Sequence, residues 1–246
     1  MKAMILAAGL GTRLRPWTLT HPKALVPVEG VPMLERVIRK LKESGFDEIV
    51  INVHHFSDQI VDFIKQNDFG VQIQVSDESD MLRDTGGGIL RASYRFGDDD
   101  VLIHNVDILS NAELRDLMKW HRRNGNDITL LTSSRDSSRK LLFSDNGELA
   151  GWHNLAKDQY RPESARELTC DEEAFSGIYI IGKRGLNALR KYAEKINAES
   201  FPIMDFFLSF PEGIKIGRMK VSKLVTLDIG KPETLARAEE YLDQIR

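Results

Sequence analysis

A short apolar run that ends in glycines is the feature that most limits how this chain can fold. Residues 2–7 read as a buried strand, and they run directly into Ala8-Gly9-Leu10-Gly11-Thr12-Arg13, a turn too rich in glycine to continue a strand or a helix. Pro32 then opens a segment whose Met33, Leu34, Val37, Ile38 and Leu41 share one helical face, with Gly45 as its C-terminal cap. The same alternation continues as a strand at 48–53, a helix at 57–66, a strand at 71–75, a helix at 86–94 and a strand at 101–105. Ser110 and Glu113 have the spacing of a capping box for a helix reaching Arg123, and 128–132 is the next strand. Such alternation predicts an α/β chain with a mostly parallel sheet, helices on both faces and ligands beyond the strands' carboxyl ends.

The periodicity fades across 135–171, where short strands at 141–143 and 149–153 precede a polar stretch without period; this predicts an insertion or lid. A strand at 174–181, helices at 186–195 and 202–210, a strand at 214–220 and a final amphipathic helix begun by Pro232 complete the chain.

The formal net charge of −3 over 246 residues excludes a global attraction to nucleic acid or anionic membrane, so any anion site must be local. One cysteine, Cys170, cannot form an intramolecular disulfide and is read as an incidental residue. No stretch approaches the roughly 20 apolar residues of a spanning helix, and the first residues lack a secretory signal, so a cytoplasmic location is expected.

Four clusters carry chemistry. The first is the loop 7–13 with Pro22-Lys23-Ala24-Leu25-Val26-Pro27-Val28 after it. Glycines let backbone N–H groups approach a phosphate chain, and Arg13 with Lys23 can neutralise charge that grows at an attacked phosphorus. A dinucleotide fingerprint would need glycine where Leu14 stands, and the Gly-Lys-Ser/Thr of a P-loop is absent. The second is Asp84-Thr85-Gly86-Gly87-Gly88-Ile89, where bare backbone before a helix would let a flat base or ribose lie against the chain. In the third, the apolar strand 101–105 leads to Asp107, a hard oxygen donor suited to Mg²⁺. His104 beside it is read as structural, since transfer onto an ionised phosphate needs no base. The fourth is Thr226-Leu227-Asp228-Ile229-Gly230-Lys231-Pro232-Glu233, a strand end followed by a proline-started helix.

Taken together these residues resemble the sugar-1-phosphate nucleotidyltransferase family, whose signature is a strand, then Gly-x-Gly-Thr-Arg-Leu-x-Pro, then Pro-Lys-x-Leu-x-Pro-Val, readable here from Leu6 to Val28. The resemblance implies a Rossmann-like three-layer α/β/α sandwich with a mostly parallel mixed sheet and a small sugar-binding insertion. One domain, 1–246, would divide into a nucleotide-binding half (1–134), a sugar-binding insertion and lid (135–225) and a C-terminal metal-ligand strand and helix (226–246).

It further implies Mg²⁺ held by Asp107 and Asp228, with Arg13 and Lys23 acting on phosphates. Ala7, Ala8, Gly9, Gly11, Thr12, Arg13, Asp84, Thr85 and Gly86 would contact the nucleotide, and Asn105, Ser176 and Gly177 the sugar. The partners would be a nucleoside triphosphate (UTP, GTP or CTP) and a sugar 1-phosphate, the product a nucleotide sugar for cell-wall or surface-polysaccharide precursors, and the protein a monomer or homodimer. The pattern is most similar to short members acting on N-acetylmuramate 1-phosphate or mannose 1-phosphate. It departs from the family at Asp84, Val106, Thr226 and Lys231, and in lacking a Glu-Lys-Pro triplet between Leu149 and Ala174.

Two rival readings stand beside it. A cytidylyltransferase for phosphocholine-like substrates would need an aromatic or acidic pocket for a quaternary ammonium, to which Trp152 and Phe175 could contribute. A non-catalytic nucleotide-sugar sensor would lack a catalytic Arg, Lys or carboxylate.

Overall fold

The computed structural model describes residues 1–230 and 232–245, so Lys231 lies outside the described residues. Ten strands form the main sheet: β1 (Lys2–Leu6), β2 (Glu48–Val53), β3 (Gln72–Asp77), β4 (Val101–Asn105), β5 (Ile128–Ser133), β6 (Arg139–Phe143), β7 (Leu149–Asn154), β8 (Gln159–Arg161), β9 (Asp171–Ile181) and β10 (Ile216–Lys220). The central order is β3-β2-β1-β4-β9-β5-β10. β1 to β4 are mutually parallel, and so are β5 and β10, whereas β9 runs antiparallel between β4 and β5. It follows that β5 points the same way as β1 and β4, and that their carboxyl ends share one edge.

The helices are α1 (Met33–Glu43), α2 (Ser57–Gln66), α3 (Asp84–Ala92), α4 (Leu114–Asn124), α5 (Lys183–Ile196), α6 (Ile203–Phe207), α7 (Pro232–Ala236) and α8 (Ala238–Ile245). The period-two pattern of the strands sorts their side chains into two cores. Ala3 and Ile5 of β1, Ile49 and Ile51 of β2 and Ile178 and Ile180 of β9 meet Leu34, Val37, Ile38 and Leu41 of α1, Ile60 of α2 and Leu117 of α4. On the opposite face Met4, Val50, Ile103, Tyr179 and Ile181 meet Ile89 of α3, Leu186 and Leu189 of α5 and Phe206 and Phe207 of α6. The result is the expected three-layer arrangement around a mixed sheet with mostly parallel core strands. Each such Leu or Ile contributes about 1.5–3 kcal/mol by burial, and a one-residue slip would expose a whole face, so register is fixed.

The stretch 135–171 forms β6, β7 and β8, antiparallel strands that branch from the start of β9 through Asp171–Glu173 pairing with β6. The strand expected from 174 begins at Asp171 because its acidic residues are neutralised from β10: buried Glu173 accepts hydrogen bonds from Arg218 Nη1 and Thr132 Oγ1, with Lys220 Nζ 3.0 Å away. The capping box does not form. Ser110 belongs to an antiparallel ribbon, Ile108–Ser110 against Thr226–Asp228, and α4 starts at Leu114 without a side-chain cap at Glu113. Ribbon pairing claims the backbone of Ser110, and its Oγ accepts only the Ala112 N–H, at 3.4 Å. The glycines 86–88, expected before a helix, form its first turns.

A third apolar cluster joins Val28 and Met33 near α1 to Leu109, Leu227 and Ile229 and to Ala238 and Leu242 of α8. This packing brings the end of the chain back to the edge where β1 and β4 finish.

Candidate nucleotide and phosphosugar cleft

A cleft of about 450 Å³ opens at that edge, lined by residues 6–13, Lys23, Asn52, Leu82, Asp84, Thr85, residues 105–107 and Gly230. Its volume lies within the range of small-molecule sites. Segments separated by more than 200 residues therefore meet in one depression.

The loop after β1 is shaped by Gly11. Its φ of 62° is left-handed, and a Cβ there would come within 2.8 Å of Lys23 Cβ and 2.9 Å of Thr18 Cγ2. Its carbonyl accepts the Leu14 N–H and the Thr18 hydroxyl, both at 2.9 Å. Gly9 is different: a Cβ would meet nothing within 4 Å, so its backbone faces open space. Ala8, Thr12 and Arg13 line the cleft with it. The Ala7 N–H is already committed, donating to Asn52 Oδ1 at 2.8 Å. Asn52 in turn donates to Glu78 Oε1 at 2.9 Å, and both side chains are buried. Burial pushes the Glu78 carboxyl up from its usual range, opposed by the Asn52 and Arg83 N–H groups and the nearby charges of Arg83 and His54. Asn52 and Leu82 were not read from the sequence as site residues. The available signal for Asn52 was an amide inside the apolar run 49–53.

The two cations expected to act on phosphates and the two carboxylates expected to hold Mg²⁺ lie near one another. Lys23 Nζ pairs with Asp107 Oδ2, and both side chains are mostly buried. A Cβ on Gly230 would lie 2.6 Å from both Arg13 Nη2 and Asp228 Oδ1, and 3.2 Å from Lys23 Nζ. Asp228 Oδ1 accepts the Gly230 N–H at 2.7 Å, and the Asp107 carbonyl accepts the Ile229 N–H at 2.9 Å. Two cations and one carboxylate thus surround one glycine, the second carboxylate is paired to Lys23, and the formal charges of these four cancel before any ligand enters.

On the α3 side Asp84 adopts a left-handed backbone (φ 57°) and accepts the Thr85 N–H at 2.6 Å. Thr85 Oγ1 accepts the Ile203 N–H at 2.9 Å. What the missing side chains admit here is protein: a Cβ on Gly86 would overlap the Phe201 ring and approach its carbonyl to 2.9 Å, and one on Gly88 would reach Glu78 Oε1 at 2.8 Å. The Gly86 N–H also donates to Phe201 O at 2.9 Å. Asp84 and Thr85 face the cleft, whereas Gly86 is buried behind them.

Of the residues expected to meet the sugar, Asn105 lines the cleft and Gly177 lies against it, since a Cβ there would come within 2.8 Å of Asn105 Nδ2. Ser176 is turned inward: its buried hydroxyl donates to Leu131 O at 2.8 Å and accepts the Ile178 N–H at 3.2 Å. His104 is also buried. Its Nδ1 lies 2.8 Å from the Asn105 carbonyl, Nε2 has no partner, and burial first, then Lys40, lowers its pKa to about 4. Trp152 and Phe175 pack against the second core, and neither lines the cleft that a quaternary ammonium would enter. Burial, reinforced by Asp145, Asp171 and Glu172, pushes the Cys170 thiol up, away from a reactive thiolate. Among the described residues no helix is long and apolar enough to cross a membrane.

Residues 2–143 match the family described as nucleotidyl transferase. The chain is 32% identical over 196 residues to the UTP–glucose-1-phosphate uridylyltransferase of Synechocystis sp., covering 73% of this chain and 48% of that protein. It is 27% identical over 252 residues to mannose-1-phosphate guanylyltransferase 1 of Arabidopsis thaliana, covering 100% and 66%. It therefore spans about half to two thirds of the length of these curated relatives. In fold it is similar to HddC from Yersinia pseudotuberculosis complexed with GMP-PN, with a TM-score of 0.75, 21% identity and coverage of 98% and 99%. A match over more than half the chain, on the segment that builds the glycine loop, Lys23 and Asp107, shows that this chain belongs to the nucleotidyl transferase family.

Proposed function

We propose that the chain transfers a nucleoside monophosphate from a nucleoside triphosphate to a sugar 1-phosphate, forming a nucleotide sugar and pyrophosphate. The observation that carries this reading is the meeting of Arg13, Lys23 and Asp228 around Gly230, with Asp107 paired to Lys23. The printed activities of the relatives, uridylyl transfer to glucose 1-phosphate and guanylyl transfer to mannose 1-phosphate, are of this reaction class.

The phosphate oxygen of the sugar 1-phosphate attacks the α-phosphorus. A new P–O bond forms as the bond to the bridging oxygen breaks, and that oxygen leaves with the pyrophosphate. No proton has to be removed from the attacking oxygen, which agrees with the burial of His104 away from the cleft. The open backbone at Gly9 and the turn at Thr12 would receive the triphosphate, and Arg13 and Lys23 would neutralise charge as it builds on the α-phosphoryl oxygens.

Asp107 and Asp228 supply two hard oxygen donors and so fit Mg²⁺, which commonly uses one or two carboxylates and completes its octahedron with phosphate and water. Bound there, the ion would act as a Lewis acid toward the phosphates.

The test is a pyrophosphate-release screen of the full chain with Mg²⁺ across UTP, GTP and CTP, each combined with glucose 1-phosphate, mannose 1-phosphate and N-acetylmuramate 1-phosphate. Release above background with a matched pair is expected. Binding of both ligand classes without release from any pair would overturn transfer in favour of a sensor.

A further inference from the structure

Arg135 stands two residues beyond the end of β5, as Asp107 stands two residues beyond the end of β4. Since β4 and β5 point the same way with β9 between them, both residues leave the sheet at the edge that carries the cleft. The guanidinium of Arg135 is held in place. Nη2 donates to the Phe175 carbonyl at 3.0 Å and Nη1 to the Asp136 carbonyl at 3.4 Å, while the Arg135 carbonyl accepts Lys140 Nζ at 2.7 Å. The side chain as a whole is exposed, yet burial pulls its guanidinium pKa below the usual range and the Asp228 carboxylate pushes it back up. Asp228 and Arg13 both lie beside Gly230, and Arg135 is tethered at the β5 and β9 side of the same sheet edge.

The proposed reaction brings two anions into one cleft. Arg13 and Lys23 belong to the segment that follows β1, and Lys23 is already paired with Asp107. A sugar 1-phosphate adds a second phosphate, which calls for a further cation beside the cleft. A guanidinium has five N–H donors. Two are engaged with carbonyls here, leaving three in a planar fork that suits a phosphate. Its anchor, Phe175, is two residues from Gly177, which borders Asn105 in the cleft.

We propose that Arg135 binds the phosphate of the sugar 1-phosphate. This rests on the transfer reading above, and it assigns that substrate to the side of the cleft between β5 and β9. The tether to Phe175 would fix the fork before the ligand arrives, so its ordering would not be charged against binding.

The test uses the full chain and three variants, Arg135→Gln, Arg135→Lys and, as an exposed neighbour on the insertion, Arg139→Gln. Calorimetric titration with glucose 1-phosphate and mannose 1-phosphate, and separately with UTP and GTP, reads the two subsites without turnover. Arg135→Gln is expected to weaken sugar phosphate binding about tenfold or more, with nucleotide affinity changed less than about twofold. Arg135→Lys should recover part of the loss, because the charge returns without the fork, and Arg139→Gln should bind like the parent. With the nucleotide and sugar phosphate that turn over, Arg135→Gln should raise KM for the sugar phosphate while KM for the nucleotide holds, at an unchanged melting temperature. Equal sugar phosphate affinity in the parent and Arg135→Gln, or no binding to either, overturns the assignment. So does an equal loss for both substrates. Arg135-dependent binding without pyrophosphate release from any pair would sink the transfer reading while sustaining the anion subsite.

Discussion

The two sides of the cleft are built by different means. The β1 side is a continuous piece of chain: residues 7–13 turn from strand to loop, and Gly11 is pinned against Lys23 only twelve residues later. On the β9 side Asn105 lines the cleft with Gly177 against it, while Asp228 stands beside Gly230 and Arg135 is tethered to the Phe175 carbonyl, each on a different segment held by strand pairing or by hydrogen bonds to neighbouring backbone. Groups that would act on a triphosphate are thus specified by local backbone. Groups that would select a sugar phosphate depend on how β5, β9 and the C-terminal ribbon come together, so they can change without disturbing the loop.

The largest effect is expected on the β1 side. Arg13→Ala should lower turnover by about 10²–10³, the loss typical of one preorganised charge-stabilising donor (about 3–4 kcal/mol), with the melting temperature held. Steady-state pyrophosphate release beside a thermal melt checks it, and a variant that turned over like the parent would remove Arg13 from the chemistry.

Strand β4 serves both sides, and its His104 points into the core opposite the cleft. Its pKa falls from 6.5 to about 4 because burial disfavours the charged form. The folded state therefore excludes a proton that the unfolded chain takes up. Stability from this group is fully present above pH 6.5 and is lost as pH falls toward 4, at about 1.4 kcal/mol per pH unit, or about 3 kcal/mol in all. Denaturant melts from pH 7.5 to 4 should show a shallower decline for His104→Leu than for the parent. Parallel curves would mean that His104 is protonated within the fold.

Next in size is Gly86→Ala, where the new methyl would have to displace Phe201 and should cost about 1–3 kcal/mol of stability while leaving nucleotide affinity nearly intact. A selective loss of nucleotide binding at unchanged stability would instead return Gly86 to direct ligand contact. The smallest effect is expected at Ser176. Removing a hydroxyl that only joins backbone groups should cost about 1 kcal/mol and leave KM for the sugar phosphate unchanged. A several-fold rise in that KM would move Ser176 into the subsite.

These contrasts follow what the amino-acid pattern made legible. Strands 48–53 and 101–105 were readable as short continuous apolar runs and the helix begun by Pro32 by its one buried face, signals that lie within a handful of neighbours. Asp171–Glu173 was not, because three acidic residues form strand only when Arg218 and Lys220 arrive from β10. Ser110 and Glu113 imitated a helix cap for the same reason: the ribbon partner that claims Ser110 lies more than a hundred residues away. The triple glycine was visible as a need for space, but the occupant of that space, Phe201, was not.

The sequence by itself determined the layered α/β architecture, the glycine loop after the first strand and the residue types of the charged cluster, since each is written in contiguous apolar pattern or in a motif of fixed spacing. Tertiary structure alone decided which groups share the cleft. It turned Ser176 and Gly86 inward, committed the Ala7 N–H to Asn52, brought Arg13 and Asp228 to the same side of Gly230, and tethered Arg135 to the Phe175 carbonyl. The physical reason is that strand order and the packing of the last helix set distances between segments, and no local propensity carries that information.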